Sequence, residues 1–143
     1  MINIKPVKKD DLLKLIEIEK HVLDYSASIE DLINYFNEDT IKIWKISDQI
    51  IIGFAIFYQV RDEIEIIKIG IMKSCQRKNY GSLIINKIKK LSNIKKIFLE
   101  VSFENTQAIN FYLKNGFKKI GIRKAYYKVN KKRIDALRLL FEF

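Results

Sequence analysis

Cysteine, proline, histidine and tryptophan each occur once among these 143 residues, and glycine only five times. A single cysteine, Cys75, leaves no internal disulfide and no multi-cysteine zinc site. The lone His21 excludes a histidine metal centre, so no metal is expected. No apolar run approaches the roughly 20 residues that cross a bilayer. The opening MINIKPVKKDD lacks the apolar stretch of a secretory signal. These absences point to a reduced, cytoplasmic protein without a membrane partner.

Acidic residues are also in short supply: 17 against 27 Lys and Arg, a net charge of +10. Abundant Lys, Ile and Asn admit compositional drift of the source genome as one explanation. The other is an anionic partner, such as a nucleotide cofactor, RNA, or a protein in a nucleic-acid setting. The excess disfavours cationic substrates. What the chain does have is 48% hydrophobic residues, enough for one domain around a single core.

INIKPV alternates as a first strand, with Pro6 at a strand end or edge. Asp10 is placed to cap a helix from about Asp11 to His21, and Ser28-x-x-Asp31 reads as a capping box for a second. Period-two patterns follow in IKIWKI, IIIGFAIFYQV and EIEIIKIGIM, separated by short turns at Ser47-Asp48-Gln49 and Arg61-Asp62. SLIINKIKKLS reads as a helix with Leu83, Ile84, Ile88 and Leu91 inward, KIFLEVS as a strand, and NTQAINFYLKNG as a helix capped by Asn105 and closed by Gly116. FKKIGIRKAYYKV and RIDALRLLFEF form a last hairpin across Asn130-Lys131-Lys132. The order β-α-α-β-β-β-α-β-α-β-β gives an α/β (α+β layered) domain in which a mixed sheet is covered by helices.

Between a strand and a helix lies QRKNYGS, residues 76–82. A curled turn ahead of a helix collects unpaired N–H groups and the positive end of the helix dipole, which suits a phosphate. Such nests normally use several glycines, and here there is only Gly81. Asn79 is among the residues that best tolerate the left-handed backbone the curl requires. Arg77 and Lys78 add positive charge. Taken alone, the segment better suits an ordinary basic helix start.

The span from Ile69 through Tyr127 resembles the GNAT superfamily of N-acetyltransferases. Its phosphate motif, Gln/Arg-x-x-Gly-x-Gly/Ala, falls on Gln76 to Gly81, with Asn79 in place of the first glycine. Within that superfamily LEVSFENTQAINFYLKNGFKKIGIRKAYY is similar to the bacterial ribosomal-protein-alanine N-acetyltransferases (RimI-like). The shared residues are Glu100, Asn105, Tyr112, Gly116-Phe117 and Tyr126-Tyr127, and RIDALRL resembles that group's Glu-Asp-Ala segment with Ile134 replacing its acid.

The resemblance implies a mostly antiparallel sheet and acetyl-CoA as co-substrate. It assigns cofactor contacts to Ile69, Gly70, Ile71, Arg77, Lys78, Asn79, Tyr80, Gly81, Ser82 and Asn105. Glu100 becomes the base that takes the amine proton, and Tyr112 the acid that protonates the leaving thiolate. The acceptor it implies is a protein N-terminal α-amine, in the first instance that of a ribosomal protein. By composition alone Glu100 is a solvated strand residue, Tyr112 a core aromatic and Asn105 a helix cap. Cys75 has no histidine beside it and reads as an incidental thiol, His21 and Trp44 as structural, and Tyr126 and Tyr127 as either groove-lining or strand-packing. Two rivals stay open: an enzyme of the same fold acting on another amine, such as aminoacyl-tRNA or a small metabolite, and a non-catalytic RNA-binding protein.

Overall fold

In a computed structural model that describes residues 1–22 and 28–143, seven strands form one sheet in the order β1-β2-β3-β4-β5-β7-β6. The strands are β1 (Asn3–Pro6), β2 (Ile41–Asp48), β3 (Ile50–Val60), β4 (Glu63–Ile71), β5 (Lys96–Ser102), β6 (Lys118–Val129) and β7 (Lys132–Glu142). The helices are α1 (Leu12–Val22), α2 (Ile29–Asn37), α3 (Tyr80–Lys89) and α4 (Thr106–Lys114). Neighbouring strands are antiparallel except β4 and β5, so the expected order and mostly antiparallel sheet are both present.

Alternation along the strands builds two cores, one on each face of the sheet. Ile64 and Ile66 of β4 and Ile97, Leu99 and Val101 of β5 meet Ile84, Ile85 and Ile88 of α3 and Tyr112 of α4. On the other face Ile43, Phe54 and Ile56 pack against Leu12, Leu15 and Ile18 of α1 and Leu32 of α2. Trp44 is structural, as expected: buried, edge-on to Phe57 at 4.7 Å and lying beneath Lys87. The side chain of His21 lies outside the described residues.

The helix ends follow the sequence closely, with two corrections. Ser28 accepts from the Asp31 N–H at 3.1 Å while Asp31 accepts from the Ser28 N–H, the reciprocal capping box. At α1, however, Asp11 rather than Asp10 does the capping. Its carboxylate accepts from the Lys8 N–H at 2.8 Å and from Lys45 Nζ at 2.7 Å, across a 3-10 turn over Lys9–Asp11. The second correction concerns α3, which starts two residues earlier than its apolar pattern suggested. Its buried face is Ile84, Ile85 and Ile88, while Leu83 is 42% exposed.

Helix α4 ends in a Schellman motif. Gly116 adopts φ +93°, its N–H donates to Leu113 O at 3.1 Å, and the Phe117 N–H donates to Tyr112 O at 3.1 Å. The accompanying apolar contact is Tyr112 against Phe117, with ring centroids 5.4 Å apart. The β6–β7 turn carries Asn130 and Lys131 at φ 49° and 67°, the primed geometry of a two-residue hairpin.

In α1, Glu19 is fully buried and pairs with Lys68 of β4, and its second oxygen has no partner among the described residues. Deleting one member of a buried pair strands the other charge, which costs about 3 to 5 kcal/mol. The corrected register of α3 gives a sharper check. Ile85→Ala should cost about 2 to 5 kcal/mol in urea unfolding, a cavity in a closed core. Leu83→Ala should stay within about 0.5 kcal/mol.

Candidate active site

The one parallel pair in the sheet is also its weakest seam. Strands β4 and β5 pair only at Glu63–Glu65 against Lys96–Phe98, then both continue without pairing to Ile71 and Ser102. A bulge lies just beyond the last pair: Ile56 faces Lys68 and Phe57 faces Ile66, so Ile67 is the extra residue on β4. The bulge redirects Lys68 toward Glu19 on one face and leaves Ile69 against the core on the other.

Above the opened seam, α3 and α4 border a cleft of about 410 Å³. It is lined by Ile69 and Ile71 from β4, by Arg77 and the run from Asn79 to Ser82, and by Asn105, Ala108, Phe111 and Tyr112 from α4 and its cap. The starts of both helices face the cleft, so two positive dipole ends meet there. In α3 the hydrogen-bond ladder begins with the Leu83 N–H donating to Asn79 O at 3.1 Å. The N–H groups of Tyr80, Gly81 and Ser82 precede it and have no helical acceptor.

The turn itself is built as the sequence suggests and further. Asn79 sits at φ 66°, ψ 14°, the left-handed conformation expected of it. Arg77 is left-handed too, at φ 62°. Alternating left-handed residues aim successive N–H groups inward, the geometry of an anion nest. Gln76 does not point at the nest: its side-chain amide donates to Ile71 O at 2.9 Å and ties the turn to the end of β4.

Gly81 owes its identity to packing. A Cβ there would lie 2.9 Å from Cε1 and Cζ of Phe111, so a side chain at this point would have to displace that ring.

Most of the expected cofactor residues are gathered in the cleft, and two are not among its lining. Lys78 is exposed on the outer side of the turn, and Gly70 is buried against Phe54 on the opposite face of the sheet. Asn105 caps α4 by accepting from the Ala108 N–H at 3.1 Å and also lines the cleft, so its two expected roles are compatible. Cys75 lines the cleft as well, half-buried.

Tyr112 is held at the cleft wall by the Schellman turn and by Phe111 and Phe117, each edge-on to its ring. Burial, reinforced by neighbouring Tyr127, raises its pKa far above that of an ordinary phenol. It therefore stays protonated throughout the neutral range.

Glu100 does not line this cleft. Alternation along β5 turns it away from Leu99 and Val101, onto the face opposite α3 and α4. There both of its oxygens accept from Arg123 of β6 at 3.3 Å, and Arg138 Nε of β7 lies 3.7 Å from one of them. The backbone of Glu100 reaches the seam by another route, because the Tyr127 hydroxyl donates to its carbonyl at 3.2 Å.

A second carboxylate was missed by sequence reasoning. Glu65, in the last β4–β5 pair opposite Phe98, shares the Glu100 face. Its pKa is raised by burial and by the negative charge of Glu100, with Arg123 opposing. Its only sequence signal was the alternation of EIEI, which reads equally as a solvated strand.

Asp135 was also passed over. It accepts from the N–H of Ala125, a left-handed residue at φ 54°, and so pins the bulge that precedes Tyr126 and Tyr127.

Residues 10–117 match the acetyltransferase (GNAT) family. The chain belongs to that family. The [ribosomal protein bS18]-alanine N-acetyltransferase of Haemophilus influenzae is 32% identical over 127 residues, covering 87% of this chain and 86% of that protein. The crystal structure of the ribosomal-protein-S18-alanine N-acetyltransferase from Escherichia coli superposes with a TM-score of 0.88 at 25% identity, covering 99% and 94% of the two chains. Arabidopsis thaliana NAA60 in complex with acetyl-CoA superposes with a TM-score of 0.89 at 17% identity, over 100% and 99%. The expected fold and family are thereby borne out, and the protein is an N-acetyltransferase.

In this acetyltransferase the packing role of Gly81 separates from any cofactor role. Gly81→Ala should lower the melting temperature by several degrees. Trimming the ring in a Gly81→Ala, Phe111→Leu double variant should recover part of that loss. Equal melting of the two variants would show that the Phe111 ring is not what excludes a side chain.

Proposed function

We propose that this protein acetylates a protein N-terminal α-amine, in the first instance that of a ribosomal protein, with acetyl-CoA as donor. The observation that carries the reading is the similarity to bS18-alanine N-acetyltransferases across nearly nine-tenths of both chains, joined to an anion nest beside a protonated tyrosine.

The nest fits a pyrophosphate, with Arg77 and the N–H groups from Asn79 to Ser82 as donors, Asn105 beside them, and Ile69 and Ile71 as the apolar wall for the pantetheine arm. Acetyl-CoA supplies the activated acetyl thioester. The chain supplies the proton handling. A carboxylate on the opposite face accepts the proton that the acceptor amine must lose, and Tyr112 donates one to the departing thiolate. An α-amine titrates near ~8, so the base needs little driving force.

Glu100 is the base by resemblance, and it can take this role only by exchanging an arginine contact for the amine. Glu65 is the second reading, favoured by its raised pKa and its place at the mouth of the seam.

Calorimetric titration with acetyl-CoA tests the nest, and Arg77→Ala should weaken binding with little effect on stability. Tyr112→Phe, which keeps the ring packing, should lower kcat by about 10²- to 10⁴-fold toward a ribosomal N-terminal peptide. Glu100→Gln and Glu65→Gln decide the base. If Glu65 is the acceptor, turnover falls as pH drops through its raised pKa, because only the carboxylate accepts a proton, and Glu65→Gln removes that limb. If Glu100 is the acceptor, Glu65→Gln keeps most of its turnover and Glu100→Gln loses it. A stable acetyl-enzyme formed at Cys75 would sink direct transfer in either form.

A further inference from the structure

Eight of the ten excess positive charges of the chain fall in the 16 residues from Lys118 to Arg133, a stretch with no Asp or Glu at all. Genome-wide drift toward lysine would spread the excess along the chain, and it is not spread. The stretch is strand β6, its turn and the first residues of β7, and β6 is the outer edge of the sheet.

Arg123 and Lys132 are paired with Glu100 and Glu104. Lys118, Lys119, Lys124, Lys128, Lys131 and Arg133 are exposed and have no carboxylate within ion-pair distance among the described residues. Lysines on an edge strand also discourage edge-to-edge pairing. That purpose ends where the edge ends, whereas the cationic run continues through the turn into β7. Beside it, Tyr126 is 45% exposed, with the Arg123 guanidinium 4.3 Å from its ring centroid. Unpaired cations along a strand about 40 Å long suit a phosphate backbone. An exposed ring among them suits unstacked bases.

We propose that the unpaired cations of the β6–β7 hairpin form a docking surface for single-stranded RNA, outside the cleft between α3 and α4 and bordering the face on which Arg123 holds Glu100. The proposal goes beyond acetyl transfer, and the two activities are read separately.

The test is fluorescence anisotropy on the full chain with a labelled oligouridine of about 20 nucleotides, longer than a typical single-strand site. It is run from about 50 to 200 mM salt, with duplex DNA of equal length and poly-L-glutamate as competitors. Lys128→Glu, Lys131→Glu and Arg133→Glu are combined in one variant. Lys5→Glu, Lys90→Glu and Lys96→Glu, also exposed and far from the hairpin in sequence, form a control of equal net charge.

The hairpin variant should bind RNA on the order of tenfold more weakly, with a salt slope flatter by about 2. The control should lose little. Tyr126→Ala should weaken RNA binding and leave duplex DNA binding unchanged. Single Lys128→Glu and Arg133→Glu variants, each with a reduced salt slope, keep the test open if the triple variant unfolds. Absence of RNA binding at the lowest salt overturns the proposal, as does an equal loss in the control. Displacement by poly-L-glutamate as effective as by RNA would assign the surface to an acidic protein, and tighter binding of duplex DNA would also overturn it.

Discussion

Beyond Glu65 and Phe98 the parallel strands β4 and β5 run on without bonding to each other, and the site depends on that opening. Each strand is held from its far side, β4 by β3 and β5 by β7, so neither can move over to close the seam. The Ile67 bulge begins the divergence and costs β4 its regular register at the last pair. The strand edges left facing the seam keep backbone donors and acceptors that some other group must satisfy. In the proposed reaction, a seam bordered by α3 and α4 on one face and by carboxylates on the other would give the acyl donor and the amine different approaches to one place. Holding two reactants in this way is where much of the barrier to a bimolecular transfer is removed.

Packing and chemistry fall on the same residues around that seam. Tyr112 is the third residue from the end of α4, so the Schellman turn that closes the helix also fixes its backbone. The aromatic run Phe111, Tyr112, Phe117 and Phe141 buries it. Burial in turn raises the pKa of the phenol, which holds its proton throughout the neutral range. Glu100 is placed with similar economy: its carbonyl receives Tyr127 while its carboxylate receives Arg123 and Arg138. Glu65, one strand over, has its pKa raised by burial and by the negative charge of Glu100, with Arg123 opposing.

The elements were legible in the sequence because their signals are local. Alternation marked β2 to β5, Ser28 and Asp31 marked the start of α2, and Asn105 and Gly116 bracketed α4. Asn79 was legible for the same reason, since left-handed tolerance belongs to the residue itself. What was not legible depends on register between distant strands or on helix contact. The Glu65, Glu100, Arg123 and Arg138 cluster draws on four strands and has no spacing in the chain to announce it. The bulge at Ile67 is invisible in EIEIIKIGIM, whose run of isoleucines suits either register. Leu83 was read as inward and Ile85 passed over because 83, 84, 88 and 84, 85, 88 are both helical spacings, and only contact with the sheet chooses between them.

The same distinction explains how one turn can lack a glycine and still be built. Its two glycine positions face different physical demands. The first asks for a backbone conformation, φ near 66°, which asparagine tolerates better than most residues other than glycine. The second asks for absent volume, because the ring of Phe111 occupies the space a Cβ would need. No residue other than glycine meets that demand while Phe111 stays. A conformational requirement can be met by a substitute and a steric one cannot. Asparagine therefore stands at position 79 and glycine at 81, and the motif read strictly by its glycines understates how much of the nest is present.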